Sequence, residues 1–83
     1  MVVTPNPVLS SARVAIRLAT NDPARLEIWD IAGRRLWSAD VGSLGPGPHT
    51  FRIMEGLALR PGAYVVRLSQ TGRSVARRIA VIR

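Results

Sequence analysis

The feature that most constrains the fold is a two-residue alternation of apolar and polar side chains, which recurs in short runs. Residues 12–19 show it most clearly, with one face formed by Ala12, Val14, Ile16 and Leu18. Successive side chains of a β-strand point to opposite faces, so this period predicts a strand that is buried on one side. No segment sustains an apolar period of 3.6 residues, and we therefore expect little or no helix.

Residues 24–31 repeat the alternation after a turn at residues 21–23. Leu26 and Ile28 are predicted to point inward, and the outward positions are Arg25, Glu27 and Trp29. The aspartate that follows can bond its own backbone two residues on, and a glycine three positions later can adopt a left-handed conformation. Asp30 and Gly33 thus predict a three-residue hairpin with a bulge, which leads into a strand over residues 34–40.

Ser69 and Gly72 have the same spacing as Asp30 and Gly33, so a second hairpin of that type is predicted between residues 63–69 and 74–82. The glycine- and proline-rich residues 42–48 indicate a loop, and residues 49–53 a short strand. Pro61 and Gly62 suit the two central positions of a type II turn.

Six or seven short strands at this spacing predict an all-β fold, an antiparallel β-sandwich of the immunoglobulin or fibronectin III kind. Residues 12–83 would form the sandwich. Residues 1–11, with Pro5 and Pro7, would form an extended linker that leads into it. Eighty-three residues suffice for a single small domain, and we expect the chain to be one module of a longer protein.

Composition argues against enzyme chemistry. All twelve basic residues are arginine, so the chain offers no lysine for a Schiff base or a phosphate-binding loop. It has no cysteine for a disulfide, a thiolate nucleophile or a zinc site, and His49 alone cannot build a metal cluster. The five acidic residues show no paired arrangement for acid–base work. We expect a non-enzymatic domain without a cofactor.

Several fragments, taken in order, resemble one superfamily across nearly the whole chain. They are residues 5–7 near the start, residues 26–34 in the first hairpin, residues 61–68 before the last one, and residues 77–83 at the end. Together they resemble the type A C-terminal sorting domains of the type IX secretion system. They are also similar to the related immunoglobulin-like domain of the flagellar hook-capping protein.

The resemblance implies a sandwich at the C-terminus of an exported protein, recognised by the secretion machinery and then cleaved by a sortase-like transpeptidase that attaches the cargo to surface lipopolysaccharide. The family's turn and N-terminal motifs match Pro5, Asn6, Pro7, Gly33, Arg34, Pro61, Gly62, Tyr64 and, in the second hairpin, Gly72. Its basic and then apolar tail, which we interpret as the sorting signal, matches Arg77, Arg78, Ile79, Ala80, Val81, Ile82 and Arg83. The chain departs from the family at Trp29, which stands in place of a tyrosine, and at residues 53–56, which replace a Trp-Asp-Gly segment.

The resemblance also predicts localisation: export, with passage through the periplasm to the cell surface or medium. An anionic surface polysaccharide or lipopolysaccharide is a possible partner, because guanidinium groups pair with phosphate, although a solvated arginine-rich face explains the same charge. Nucleic acid is not expected, since no recognition helix or stacking platform accompanies the arginines. Two alternatives stay open: a structural spacer or assembly domain of the hook-capping type, and a carbohydrate-binding module that uses Trp29 and Trp37.

Overall fold

Seven β-strands make up the fold in a computed structural model that describes residues 1–9, 11–54, 57 and 59–82. They are β1 (Val2–Thr4), β2 (Ala12–Leu18), β3 (Ala24–Asp30), β4 (Arg35–Asp40), β5 (Gly47–Ile53), β6 (Gly62–Gln70) and β7 (Arg73–Val81). The described residues contain one short 3-10 helix at Gly42–Leu44, within the predicted loop, and no α-helix. The all-β prediction is confirmed.

The strands form two antiparallel sheets that pack face to face. One sheet has the order β1-β2-β5, and the other has the order β4-β3-β6-β7. The chain crosses between the sheets from β2 to β3, from β4 to β5, and from β5 to β6. This arrangement confirms the predicted immunoglobulin-like sandwich.

The core lies between the sheets and follows the alternation of the sequence. In β2 the four predicted inward residues are buried and the positions between them are exposed. Leu26 and Ile28 of β3 face them from the other sheet and are completely buried. Two β-sheets that interdigitate in this way bury most of the apolar area that stabilises a domain of this size.

The first hairpin has the predicted construction. Asp30 Oδ1 accepts hydrogen bonds from the backbone N–H groups of Ala32, at 3.0 Å, and Arg34, at 2.9 Å. The Gly33 N–H donates to the Asp30 carbonyl at 3.2 Å, and Gly33 has φ of 86°. Asp30 therefore organises the turn with its side chain, and glycine supplies the left-handed conformation.

The second hairpin exists, but its predicted type was wrong. Pairing continues to Gln70 opposite Arg73, which leaves a two-residue turn of Thr71 and Gly72. Both residues have positive φ, 50° and 75°, as a type I′ turn requires. The Ser69 hydroxyl, unlike the Asp30 carboxylate, makes no hydrogen bond to the turn. Gln70 instead bonds to the β2–β3 connection, since its side-chain amide donates to the carbonyls of Thr20 and Asp22.

The type II turn predicted at Pro61 and Gly62 is also wrong. Gly62 has φ of 158°, which is extended backbone, and it already belongs to β6. The carbonyl of Arg60 instead accepts a hydrogen bond from the hydroxyl of the buried Tyr64. This bond from a strand-start tyrosine to a carbonyl four residues upstream has the form of the tyrosine corner of immunoglobulin-like sandwiches.

Described residues within 1–11, the predicted extended linker, contact both sheets. Val2–Thr4 forms β1 and pairs with Arg13–Ala15 of β2. Val8 is 1% exposed and belongs to the core. This part of the chain therefore crosses from one sheet to the edge of the other.

Candidate functional site

The N-terminal motif and the last strand, which stand at opposite ends of the sequence, lie side by side. The Asn6 side chain bonds to β7 in the manner of a peptide group: its Oδ1 accepts from the Ala80 N–H at 3.1 Å, and its Nδ2 lies 3.5 Å from the Arg78 carbonyl oxygen. Pro7 follows, and Val8 continues the pairing. The Val8 N–H donates to the Ala80 carbonyl at 2.7 Å, and the Ile82 N–H donates to the Val8 carbonyl at 2.9 Å. We call residues 5–8 the N-terminal clamp.

The clamp covers only part of the free edge of β7. Strand β7 is the last strand of the four-stranded sheet, and its other side pairs with β6 along its whole length. The clamp contacts β7 from Arg78 to Ile82, and no described residue forms a strand against residues 73–77. Edge strands with unpaired backbone groups are templates for pairing with another chain, so the clamp limits where such pairing is possible.

The predicted sorting tail has two buried residues, and its other described residues are exposed. Ile79 and Val81 are 2% and 4% exposed and belong to the core, whereas Ile82 is 46% exposed. Arg77, Arg78 and Ala80 are also exposed, and Arg83 lies outside the described residues. The tail in the folded domain is therefore a clamped core strand that presents two arginines and an isoleucine to solvent.

A shallow depression of about 170 Å³ joins the start of the chain to the tail arginines. Its lining comes from β1, the clamp and β7: Met1, Val2, Val3, Asn6, Arg77, Arg78 and Ile79. A partner that contacts this surface would touch both termini of the domain at once.

The other motif residues occupy turns at the two ends of the four-stranded sheet. Tyr64 pairs with Asp30 on one side and with Ile79 on the other, so the first hairpin, the tyrosine corner and the tail share one end of this sheet. Gly33 and Arg34 lie in that hairpin, and Pro61 and Gly62 lead into Tyr64. Gly72 lies at the opposite end of the sheet, in the second hairpin.

The Asp30 carboxylate is the most strongly held charge at this end. Its pKa is lowered chiefly by the hydrogen bond from the backbone N–H of Arg34, with further contributions from the Arg34 side chain and the Ala32 N–H. Arg34 Nε lies 2.8 Å from Asp30 Oδ2. Gly33 and Arg34, the two residues compared with the family's turn motif, therefore each have a structural role in this turn.

The other described acidic residues are each engaged locally. Asp22 accepts a hydrogen bond from the Thr20 hydroxyl, Asp40 accepts one from the Gly42 N–H, and Glu27 pairs with Arg35 at 3.4 Å. Glu27 was expected to be outward, and it lies on the face away from the core, yet it is only 7% exposed. Glu55 lies outside the described residues, together with the Gly56 of the departing family segment.

The ring of His49 hydrogen-bonds to the Gly45 carbonyl at 2.7 Å. Among the described residues, no group of three histidine, cysteine, aspartate or glutamate side chains is placed to hold a metal ion.

The two tryptophans do not form a stacking pair. Trp37 pairs with Ile28 and packs against the core between the sheets. Trp29 lies on the opposite face of the four-stranded sheet, where it is partly buried and its indole N–H has no hydrogen-bond partner among the described residues. An exposed aromatic platform needs both rings on one face, whereas these two tryptophans lie on opposite faces of the four-stranded sheet.

Two of the residues that build the site carry no clear signal in the sequence. Val8 anchors the clamp in the core, and the only local signal was an apolar residue directly after Pro7. Gln70 fixes the opposite end of the sandwich through three hydrogen bonds to residues 19–22. A polar residue at a strand end carries no sequence pattern that distinguishes it from an ordinary surface residue.

No protein-family model matches the chain, and no curated protein matches it significantly. The described part of the chain also has no helix with the length and apolar character needed to cross a membrane.

Proposed function

We propose that this domain is a non-enzymatic C-terminal sorting and surface-attachment module, which directs an upstream exported protein through the type IX secretion system. The observation that supports the proposal is the clamp. Asn6 of the N-terminal motif, and Val8 directly after the motif, hydrogen-bond to Arg78, Ala80 and Ile82 of the tail. The two motifs that carry the resemblance at the two ends of the sequence thus form one continuous surface.

This arrangement favours recognition of the folded domain over recognition of a free tail. Ile79 and Val81 are core residues, so a receptor that captured the tail as an extended peptide would have to unfold β7. A receptor that contacts the exposed side chains of Arg77, Arg78 and Ile82 has no such cost. The secretion machinery would therefore read these exposed side chains of the tail and the adjacent clamp.

Partners and location follow from the same proposal. The domain would be covalently linked to an upstream catalytic or adhesive cargo, pass through the periplasm and reach the outer membrane. A sortase-like transpeptidase would then remove the domain and attach the cargo to lipopolysaccharide. In this role the domain needs a stable core and an accessible surface, and it does not need a catalytic cavity.

The test is a reporter fused upstream of residues 1–83 and expressed in a type IX-competent host and in the same host without a working secretion channel. We expect the reporter at the surface or in the medium only in the competent host. Deletion of residues 79–83 should leave it in the periplasm. Equal export from both hosts, or export unaffected by the deletion, would contradict the proposal.

A further inference from the structure

A second depression, of about 390 Å³, lies at the opposite end of the four-stranded sheet from the clamp, beside the second hairpin. It is open to solvent, and its volume is within the range of about 300–1,000 Å³ that is usual for small-molecule sites. Strands β3, β4, β6 and β7 all contribute to its lining, which consists of Pro23, Ala24, Arg25, Asp40, Arg67, Ser69, Gln70, Thr71, Gly72, Arg73 and Ser74.

Three arginines from three different strands line this depression. Arg25, Arg67 and Arg73 are exposed, and none of them is in an ion pair with a carboxylate of the described residues. Asp40 is the one acidic residue in the lining, so the formal charge of the depression is +2. Guanidinium groups bind carboxylate and phosphate through two parallel hydrogen bonds, and unpaired arginines in a concave surface favour an anionic ligand.

Hydroxyl groups lie between the arginines. Ser69 pairs with Arg25 on β3 and with Ser74 on β7, so the three residues form one row across the sheet. The Ser69 Oγ is buried and has no hydrogen-bond partner among the described residues. Buried hydroxyls normally have a partner, so the Ser69 Oγ has unused hydrogen-bonding capacity beside the depression.

We propose that this depression binds an anionic saccharide, a sugar whose phosphate or carboxylate contacts the arginines while its hydroxyls contact Ser69, Ser74 and Asp40. The mixture of cations, hydroxyls and one carboxylate matches a ligand that carries both an oxyanion and hydroxyl groups. A nucleic-acid strand fits less well, because the lining contains no aromatic residue for base stacking and Asp40 would repel a continuous phosphate backbone.

This inference rests on the proposed function only in that a domain delivered to a cell surface meets anionic glycans there. The depression is at the far end of β7 from the clamp, and binding is measured on the 83-residue domain itself. Loss of export without loss of binding would therefore count against sorting alone, and loss of binding without loss of export would count against this inference alone.

The experiment is a titration followed by amide NMR with four probes: glucose 6-phosphate, glucuronate, glucose and inorganic phosphate. We expect saturable shifts at Arg25, Ser69 and Ser74 with glucose 6-phosphate, glucuronate or both. The charged sugar with the higher affinity shows whether the site prefers a phosphate or a carboxylate. Glucose should cause no saturable shift. Inorganic phosphate should bind more weakly than glucose 6-phosphate, because it lacks the sugar hydroxyls.

Three variants and a control make the test specific. Arg25→Gln and Arg73→Gln should each weaken binding about threefold to fivefold, the size of one exposed charged contact. Asp40→Asn keeps the oxygen that accepts from Gly42, removes the negative charge and should strengthen binding. Arg13→Gln removes the same charge from an exposed position of β2 in the other sheet and should leave binding unchanged.

The inference would be overturned by any of three results. The first is an equal effect of Arg13→Gln and Arg25→Gln, which would show attraction by net charge alone. The second is equal affinity for inorganic phosphate and for the sugar phosphate, which would show that the sugar contributes nothing to binding. The third is a short single-stranded oligonucleotide that shifts the same amides at lower concentration than either charged sugar.

Discussion

Replacement of Asn6 by alanine should loosen the end of β7 that the clamp covers. The Ala80 N–H faces the free edge of the sheet, and Asn6 Oδ1 is its hydrogen-bond acceptor at 3.1 Å. The second bond of the Asn6 side chain, to the Arg78 carbonyl, is 3.5 Å long and contributes little. The variant should therefore lose about 0.5–1.5 kcal/mol, the usual net value of one hydrogen bond.

This free energy corresponds to a measurable change in melting temperature. For 83 residues, an unfolding entropy of about 2.1 cal/mol/K per residue gives a decrease of about 3 to 9 °C. Calorimetry of the two proteins at the same pH measures this decrease.

Hydrogen exchange tests the contact at the amide itself. We expect the Ala80 amide of Asn6→Ala to exchange about 2- to 13-fold faster than in the unchanged domain, which corresponds to the same 0.5–1.5 kcal/mol. Asn6→Asp is the matched control, because it keeps the acceptor oxygen and replaces the amide donor by a second, charged carboxylate oxygen. Unchanged protection of Ala80 in Asn6→Ala, or equal loss of protection in both variants, would refute the assigned contact.

Two further predictions concern the turns. Gly42→Ala should cost about 1–3 kcal/mol, as overpacked substitutions do, because a Cβ there would lie 2.8 Å from both Ala24 N and Asp22 O. The neighbouring exposed Ser43→Ala should be nearly neutral in the same melting experiment. Asp30→Asn should reduce stability at neutral pH. Because the pKa of Asp30 is lowered by folding, its carboxylate contributes stability at pH values above the ordinary pKa of 3.8. This contribution is lost as the pH falls through the lowered pKa of the folded protein. The difference in melting temperature between the two proteins should therefore shrink as the pH falls below 3.8, and a constant difference from pH 7 to the acid limit of the fold would contradict this reasoning.

Local chemistry predicted those parts of the fold that depend on neighbouring residues. The alternation of residues 12–19 determined which side chains of β2 are buried, because a strand that covers a core allows only one choice of face. Asp30 and Gly33 predicted the first hairpin, since each has a specific role within four residues.

Long-range pairing decided the features that sequence reasoning missed. Ser69 and Gly72 have the spacing of the first turn, but pairing of Gln70 with Arg73 shortened the loop and placed Thr71 at positive φ. Asn6 bonds to a backbone 74 residues away, a contact that becomes visible only after the two sheets are assembled. The resemblance placed residues 5–7 and 77–83 in one family pattern, and it did not indicate that they touch.

The paired arginines of the tail test the central proposal most directly, because they can be changed without loss of the core. Arg77→Gln with Arg78→Gln removes two exposed charges and leaves Ile79 and Val81 in place. Arg13→Gln with Arg17→Gln removes two exposed charges from β2. The measurement is the fraction of a fused reporter that reaches the surface of a type IX-competent host. If the machinery reads the exposed arginines of β7, the tail variant should be exported roughly tenfold less than the unchanged domain, and the β2 variant should be exported normally. Equal export of both variants would contradict the account.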